Sequence, residues 1–309
     1  MHPTLPVHAR DVTKSYGPNQ ALKGISLDIV PGEVFSILGP NGAGKTTFIE
    51  ILEGYRARTG GDVTVLGVDP GQGTAAWKAR LGIVLQSSGV FEKLTVEEVV
   101  GHFATFYPDP LPVDHVIGIT GLAEKRKARC DTLSGGQKRR VDVALGIVGN
   151  PALVFLDEPT TGFDPSARRQ AWDMVDGLTG LGKTVVLTTH YLDEAEHLAR
   201  RVAVIVEGRV ADIGTPREIG GRERATARIT FRREGSLAST PFPLELEHHE
   251  AESLVTLPAT EPTAVVVALA SWAREYGFEE LPGLTVTRPS LEDIYLEMIS
   301  EAPATGSKE

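Results

Sequence analysis

The sequence predicts an α/β protein organised around a phosphate-binding loop, and three stretches carry that prediction. Gly39-Pro40-Asn41-Gly42-Ala43-Gly44-Lys45-Thr46-Thr47 lies between an apolar run, Val34–Leu38, and a helix-forming segment, Thr46–Leu52. Leu153-Val154-Phe155-Leu156 is apolar without interruption, the mark of a parallel strand covered on both faces, and it ends in Asp157-Glu158. Leu133-Ser134-Gly135-Gly136-Gln137 opens a further helix with a serine and two glycines.

The first stretch has the G-x-x-x-x-G-K-[ST] form, in which strand, glycine turn and helix start cradle an anion. Gly42 and Gly44 carry no Cβ, so the backbone can curl until several N–H groups point inward. The dipole of the following helix adds positive potential there. Lys45 can reach β- and γ-phosphate oxygens, and the Thr46 hydroxyl can ligate Mg²⁺. Gly39, Asn41, Gly42, Ala43, Gly44, Lys45, Thr46 and Thr47 are therefore the candidate nucleotide-binding set.

Upstream of the loop, Val7–Val12 and Leu22–Ile29 alternate as strands around a turn cluster, Lys14–Asn19. Tyr16 in that cluster can offer a flat face to an adenine ring, or be an ordinary half-exposed turn tyrosine. Pro31-Gly32 turns the chain into the strand before the loop. Asp62–Leu66 is expected as a strand, Ala75–Arg80 as a short helix, and Leu81–Gln86 as an apolar strand ending in an amide. Thr95 and Glu98 form a capping box, so a helix should run to about Tyr107 and stop before Pro108, Pro110 and Pro112. Val113–Leu133 reads as short helices. Residues from about 90 to 150 are thus a helical insertion.

Ser134, Gly135 and Gly136 at a helix start make either a second anion site or a plain cap. Asp157, at the carboxyl end of its strand, points into the crevice where α/β sheets bind ligands and can hold Mg²⁺ through its water shell. Glu158 can act as general base on a water. Asp164-Pro165 starts another helix, aspartate at N-cap and proline at N1. Thr184–Thr189 is a buried-type strand that delivers His190 to the same sheet edge, in a polar, orienting position. Val202–Val206 and Arg209–Ile213, joined by Glu207-Gly208, form a hairpin that closes the first domain.

Beyond Gly220-Gly221 acidic residues outnumber basic ones. Strands are expected at Ala227–Phe231, Ser253–Leu257 and Leu284–Thr287, and a helix at Pro262–Tyr276. Ser290 and Asp293 box the start of a last helix to Ile299, and residues 303–309 form a disordered tail. His248-His249 between Glu247 and Glu250 reads as a solvated loop rather than a metal site. No catalytic set is found in this region.

With 309 residues there is room for one large domain or two modest ones. A formal charge of −10 argues against a nucleic-acid partner. Cys130 stands alone, which excludes a disulfide framework and a thiolate metal site and suits a reducing cytoplasm. Met1–Arg10 lacks the apolar core of a signal peptide, and the longest apolar run, Ala264–Ala270, is far short of a membrane span. Membrane work would need another subunit.

The phosphate loop, Gln86, Leu133–Gln137, Leu153–Glu158, Asp164 and His190 occur in the order and spacing of ABC-transporter ATPase subunits, which the chain resembles over about Val7–Arg217. Within them it resembles ABC-2-type exporters of the daunorubicin-resistance kind. The features behind that are Lys138-Arg139-Arg140 after the signature and a C-terminal domain ending in Ser290-Leu291-Glu292-Asp293-Ile294-Tyr295-Leu296. Phe163 departs from the family's usual leucine.

The resemblance implies an α/β P-loop NTPase (RecA-like) ABC ATPase core at 1–220, with an antiparallel β subdomain and the helical insertion, and an accessory α+β C-terminal domain at 221–302. It implies ATP and Mg²⁺ as cofactors and a catalytic set of Lys45, Gln86, Glu158 and His190. Thr46, Gln86 and Asp157 would serve the metal. Tyr16 would stack on adenine, Ser134, Gly135 and Gly136 would touch the γ-phosphate held by another protomer's loop, and Gln137 would belong to the same cofactor-binding set. Asp164 would join protomers, and Gln86 would report nucleotide state to a membrane subunit. The implied assembly is a homodimer with a separate integral-membrane ABC-2 permease, peripheral on the cytoplasmic face of the cell membrane. The alternatives are a soluble ABC ATPase serving ribosomes or DNA and a plain nucleotide-binding regulator. A single cassette, a short insertion and the acidic charge disfavour the first, and Glu158 with His190 disfavours the second.

Overall fold

The computed structural model describes residues 5–84, 91, 93–234, 238–242, 248–251 and 253–301. Two compact units divide between Pro216 and Arg217, the second ending at Ser300. Gly220 and Gly221 lie within a 3-10 segment of the second unit, Ile219–Arg224.

The first unit opens with β1 (Val7–Tyr16), β2 (Asn19–Ile29) and β3 (Val34–Leu38), followed by α1 (Lys45–Leu52), β4 (Gly60–Val65), α2 (Ala75–Lys78) and β5 (Leu81–Val84). The helical insertion supplies α3 (Val96–Ala104), α4 (Val113–Ile119) and α5 (Gly135–Ile147). The chain then returns through β6 (Leu153–Asp157), α6 (Pro165–Gly180), β7 (Thr184–Thr188), α7 (Leu192–Leu198), β8 (Arg201–Val206) and β9 (Arg209–Gly214).

A six-stranded sheet has the order β5-β6-β7-β3-β8-β9, parallel except for the β8–β9 hairpin, and a smaller antiparallel sheet has the order β2-β1-β4. Alternation along each strand explains why the parallel strands are apolar throughout. Leu153 and Phe155 of β6 face a core shared with α1 and the antiparallel sheet. Val154 and Leu156 face the opposite core, filled by α3, α4, α5 and α6.

Local signals set the helix ends. Thr95 and Glu98 close their box at the start of α3, Glu98 N–H donating to Thr95 Oγ1 at 3.3 Å and Thr95 N–H to Glu98 Oε2 at 2.8 Å. That helix stops at Ala104, short of Tyr107, where the Thr105 hydroxyl donates back to the His102 carbonyl at 2.7 Å. Asp164 caps α6 by accepting from the N–H groups of Ser166 and Ala167.

The second unit holds β10 (Ala227–Arg232), β11 (His249–Ala251), β12 (Leu254–Ala259), α8 (Pro262–Glu275), β13 (Thr285–Thr287) and α9 (Leu291–Glu301). Its antiparallel sheet runs β11-β12-β10-β13, and Ile229, Phe231, Val255 and Leu257 pack beneath Leu269 and Trp272 of α8. Ser290 and Asp293 box the start of α9 as expected. One expectation is corrected: His249 and Glu250 are not loop residues but pair with β12, and the His248 ring stacks on Phe242 at 4.5 Å. The expected tail, 303–309, lies outside the described residues.

Candidate nucleotide-binding site

The strands β6, β7 and β3 are neighbours, so the segments that follow them leave one sheet edge side by side. After β3 comes the phosphate loop. Gly42 and Gly44 have φ of 79° and 103°, a left-handed backbone that suits glycine. At Gly39 a Cβ would stand 2.3 Å from the Ile205 carbonyl oxygen, so only glycine fits against β8. The turn between β8 and β9 braces the loop from behind: Gly208 N–H donates to the Ala43 carbonyl at 3.0 Å, and Lys23 N–H to the Gly208 carbonyl at 2.7 Å. No side chain caps α1, whose first N–H groups remain available to an anion.

Lys45 is only 7% exposed, and its Nζ donates to the carbonyls of Gly39 at 2.7 Å and Pro40 at 3.1 Å. Burial lowers its pKa, while the charges of Glu158 and Asp157 act the other way. Those carboxylates are therefore within electrostatic reach of the lysine. Thr46 is exposed beside it and Thr47 half-buried, while Asn41 is exposed and Ala43 buried.

At the end of β6 the Asp157 carboxylate accepts from the Thr188 hydroxyl, and its carbonyl accepts from Arg139 Nη2 at 2.6 Å. Glu158 has φ of 45°, costly for a residue with a Cβ. Its N–H holds that conformation by donating to both the carbonyl and the hydroxyl of Thr188, each at 3.1 Å. Its carboxylate accepts from Thr161 Oγ1 at 3.1 Å and lies 3.3 Å from His190 Nδ1. The arrangement can polarise a water: an acid beside a histidine, facing a buried lysine.

Elsewhere, the Ser134–Gln137 turn is a closed capping box. Gln137 N–H donates to Ser134 Oγ at 3.3 Å and Ser134 N–H to Gln137 Oε1 at 3.1 Å. Ser134, Gly135 and Asp164 are exposed, and Gly136 is half-buried against Phe163 and Ala167. Tyr16 ends β1 rather than occupying a turn; it is 41% exposed, its ring within cation–π range of Lys14 and Arg56. Gln86 lies outside the described residues.

A family model for ABC transporters matches residues 22–161. The linearmycin resistance ATP-binding protein of Bacillus subtilis is 32% identical over 304 residues, covering 94% of this chain and 97% of that protein. A daunorubicin resistance ATP-binding protein of Streptomyces coeruleorubidus is 34% identical over 304 residues, covering 94% of each. The chain belongs to the ABC transporter ATP-binding proteins. Among solved structures, an ATP-binding cassette dimer in a post-hydrolysis state with ADP and Pi aligns at a TM-score of 0.60 and 27% identity, over 68% of this chain and 98% of that one. The cbiO1 protein of Clostridium perfringens, part of an ABC transporter complex, aligns at 0.64 and 28%, over 71% and 92%. The ABC ATPase therefore binds ATP and couples its hydrolysis to transport.

The donor set also fits Mg²⁺. Among the described residues no group of three or more His, Cys, Asp or Glu could hold a metal alone. Asp157 and the exposed Thr46 hydroxyl offer the one or two protein ligands this ion usually takes beside phosphate oxygens and water.

Three residues of this ABC ATPase gain roles that motif reading missed. Thr188 looks like any β-branched strand residue, yet it holds Asp157 and Glu158 together. Arg139 looks like part of a basic surface run, yet it is only 8% exposed and ties α5 to the end of β6. Glu53, which ends α1, is 5% exposed, and its pKa is pushed up to about 8 by burial and then by the charges of Asp157 and Glu50.

Because the folded Glu53 carboxyl keeps its proton where the unfolded one, near 4.5, has lost it, stability falls as pH rises from about 4.5 through about 8. In nucleotide- and metal-free protein, Glu53→Gln should therefore match wild type at the acid end of that window. Above it the variant should be about 1–3 kcal/mol more stable, read from denaturant melts across the range.

Proposed function

We propose that this chain is the ATP-hydrolysing subunit of an ABC-2-type exporter of drug, antibiotic or lipid-like cargo. The single observation that carries the reading is the near full-length similarity to linearmycin and daunorubicin resistance ATP-binding proteins, which extends through the second unit. That second unit is the accessory domain of the proposed exporter subunit.

In the proposed mechanism the chain works as a homodimer with ATP between copies. Lys45, released from the Gly39 and Pro40 carbonyls, neutralises phosphate charge, and the first N–H groups of α1 add to it. Tyr16 stacks on the adenine. Thr46 and Asp157 would hold Mg²⁺, with Gln86 as a further ligand; the ion would supply charge neutralisation and order the phosphate oxygens. Glu158 takes the proton of the attacking water, and His190 holds the Glu158 carboxylate in line. The exposed Ser134, Gly135 and Asp164 are free to meet the phosphate and loop of a second copy. The solved relative seen as a post-hydrolysis dimer supports this pairing.

Among the described residues no helix is long and apolar enough to cross a membrane. The pathway is therefore assigned to a separate permease, with this chain bound at the cytoplasmic face of the cell membrane. A groove of about 450 Å³ between β5 and the helical insertion fits such a contact. Phe91, Phe103, Tyr107 and Leu145 line it, and Lys78 and Asp142 add charge. Its apolar wall and charged groups suit a short amphipathic helix of the membrane subunit. The charge of −10 speaks against the ribosomal or DNA alternative.

Glu158→Gln is expected to bind ATP as wild type does, lose roughly 10²–10⁴-fold in turnover and accumulate an ATP-bound dimer, seen by size-exclusion chromatography. Full activity would remove Glu158 as the base. Ser134→Arg should keep ATP affinity in the isolated chain within about threefold, since its partner phosphate is on the other copy, and lose hydrolysis almost entirely. Loss of binding in parallel with hydrolysis would contradict the shared site. Co-purification of a multi-span subunit from membranes tests the permease assignment.

A further inference from the structure

The helix α7 carries a buried acid that the chemistry above does not use. Glu194 is 0% exposed. Its neighbours come from three segments. Thr160 lies two residues past Glu158, Thr189 directly precedes His190, and Trp172 and Arg168 sit on α6, whose N-cap is Asp164. Burial raises the pKa of Glu194, and the Thr189, Thr160 and Trp172 donors, with the Arg168 charge, act against that rise. These donors favour the charge without completing aligned bonds. Both Glu194 carboxyl oxygens, Thr160 Oγ1, Trp172 Nε1 and Arg168 Nε are all buried and lack an aligned partner.

So dense a set of buried polar atoms is a poor way to fill a core. Each imperfectly paired group costs about 1–3 kcal/mol, and an apolar residue of the same volume would avoid that. The surrounding contacts show what the cluster joins. Arg168 Nη1 donates to Asp193 Oδ2 at 2.9 Å, and its guanidinium lies 4.3 Å from the Tyr191 ring centroid. The Tyr191 ring lies 4.1 Å from that of His190. Trp172 also stacks on His197 of α7 at 4.5 Å.

We propose that Glu194 is a positioning residue for hydrolysis: its buried carboxyl is the polar centre shared by the segments that carry Glu158, His190 and Asp164, and it keeps the three in register. Thr188 and the Glu158–His190 contact already link two of these segments, and Glu194 adds α6 to them. With it, displacing one segment disturbs the donors of the other two. A change at Asp164, on the exposed start of α6, is thereby felt by the Glu158–His190 pair. The proposal rests on the roles given above to Glu158 and His190.

The test measures ATP turnover, nucleotide affinity and ATP-dependent dimer formation in Glu194→Leu, Glu194→Gln and Thr160→Val, with Glu158→Gln as control. Glu194→Leu should lower kcat by about 10²-fold, the scale set by misplacing catalytic groups, with KM and nucleotide Kd within about twofold. It should also accumulate the ATP-bound dimer, which a merely damaged fold would not form. Glu194→Gln keeps the shape and a polar centre able to meet the same donors and should recover at least about tenfold of the lost rate. A wild-type rate in Glu194→Leu overturns the proposal, as does joint loss of ATP binding and turnover. Should the leucine variant not fold, Thr160→Val decides: a several-fold fall in kcat at unchanged KM supports the role, and an unchanged kcat refutes it. An active Glu158→Gln would instead strike the base assignment, a result distinct from an active Glu194→Leu.

Discussion

The backbone of Glu158 is held in a left-handed turn by a single threonine across the strand gap. Thr188 accepts the Glu158 N–H on its carbonyl and on its hydroxyl, and the same hydroxyl donates to Asp157. An unfavourable φ is thus kept by the last paired residue of β7, and the two adjacent carboxylates reach different partners, Asp157 the Thr188 hydroxyl and Glu158 the Thr161 hydroxyl and His190. The register Asp157 against Thr188 follows from the parallel pairing of β6 with β7. Everything ascribed to Glu158 depends on that pairing, since a shift of one residue would turn its side chain to the opposite face.

Around this point the sheet gathers opposite charges in a buried place. Lys45 is desolvated yet near Asp157 and Glu158, and Glu53 holds a proton in part because Asp157 is charged. The protonated Glu53 spares Asp157 a second negative charge beside it, and among the described residues the only aligned partners of Lys45 Nζ are the Gly39 and Pro40 carbonyls.

Much of this was legible in the sequence because it obeys local rules. The glycine loop announces itself by spacing, and capping boxes at Thr95, Ser134 and Ser290 need only neighbours three residues on. Uninterrupted apolar runs identify β6 and β7. The convergence of loop, acid pair and histidine also follows once the sheet is taken as parallel. What could not be read depends on partners distant in the chain. Thr188 and Arg139 acquire their roles from strand register and helix docking. Three-residue β11 has no strand propensity of its own and exists because β12 pairs with it. The helix α7, Leu192-Asp193-Glu194-Ala195-Glu196-His197-Leu198, is short and its apolar stripe is Leu192, Ala195 and Leu198, so its buried glutamate, off that stripe, reads as one more surface acid.

Each copy presents one phosphate loop on a sheet edge and one exposed serine–glycine turn at the start of α5, and the proposed chemistry needs the turn of one copy to meet the loop of another. The direct measurement is ATP turnover per mole of purified chain across a wide dilution series. If two copies must assemble, specific activity falls as the protein is diluted below the dimer dissociation constant, and inactive Ser134→Arg chains mixed with wild type suppress it further. Specific activity that stays constant to the highest dilution, in a sample shown to be monomeric there, would contradict the shared site.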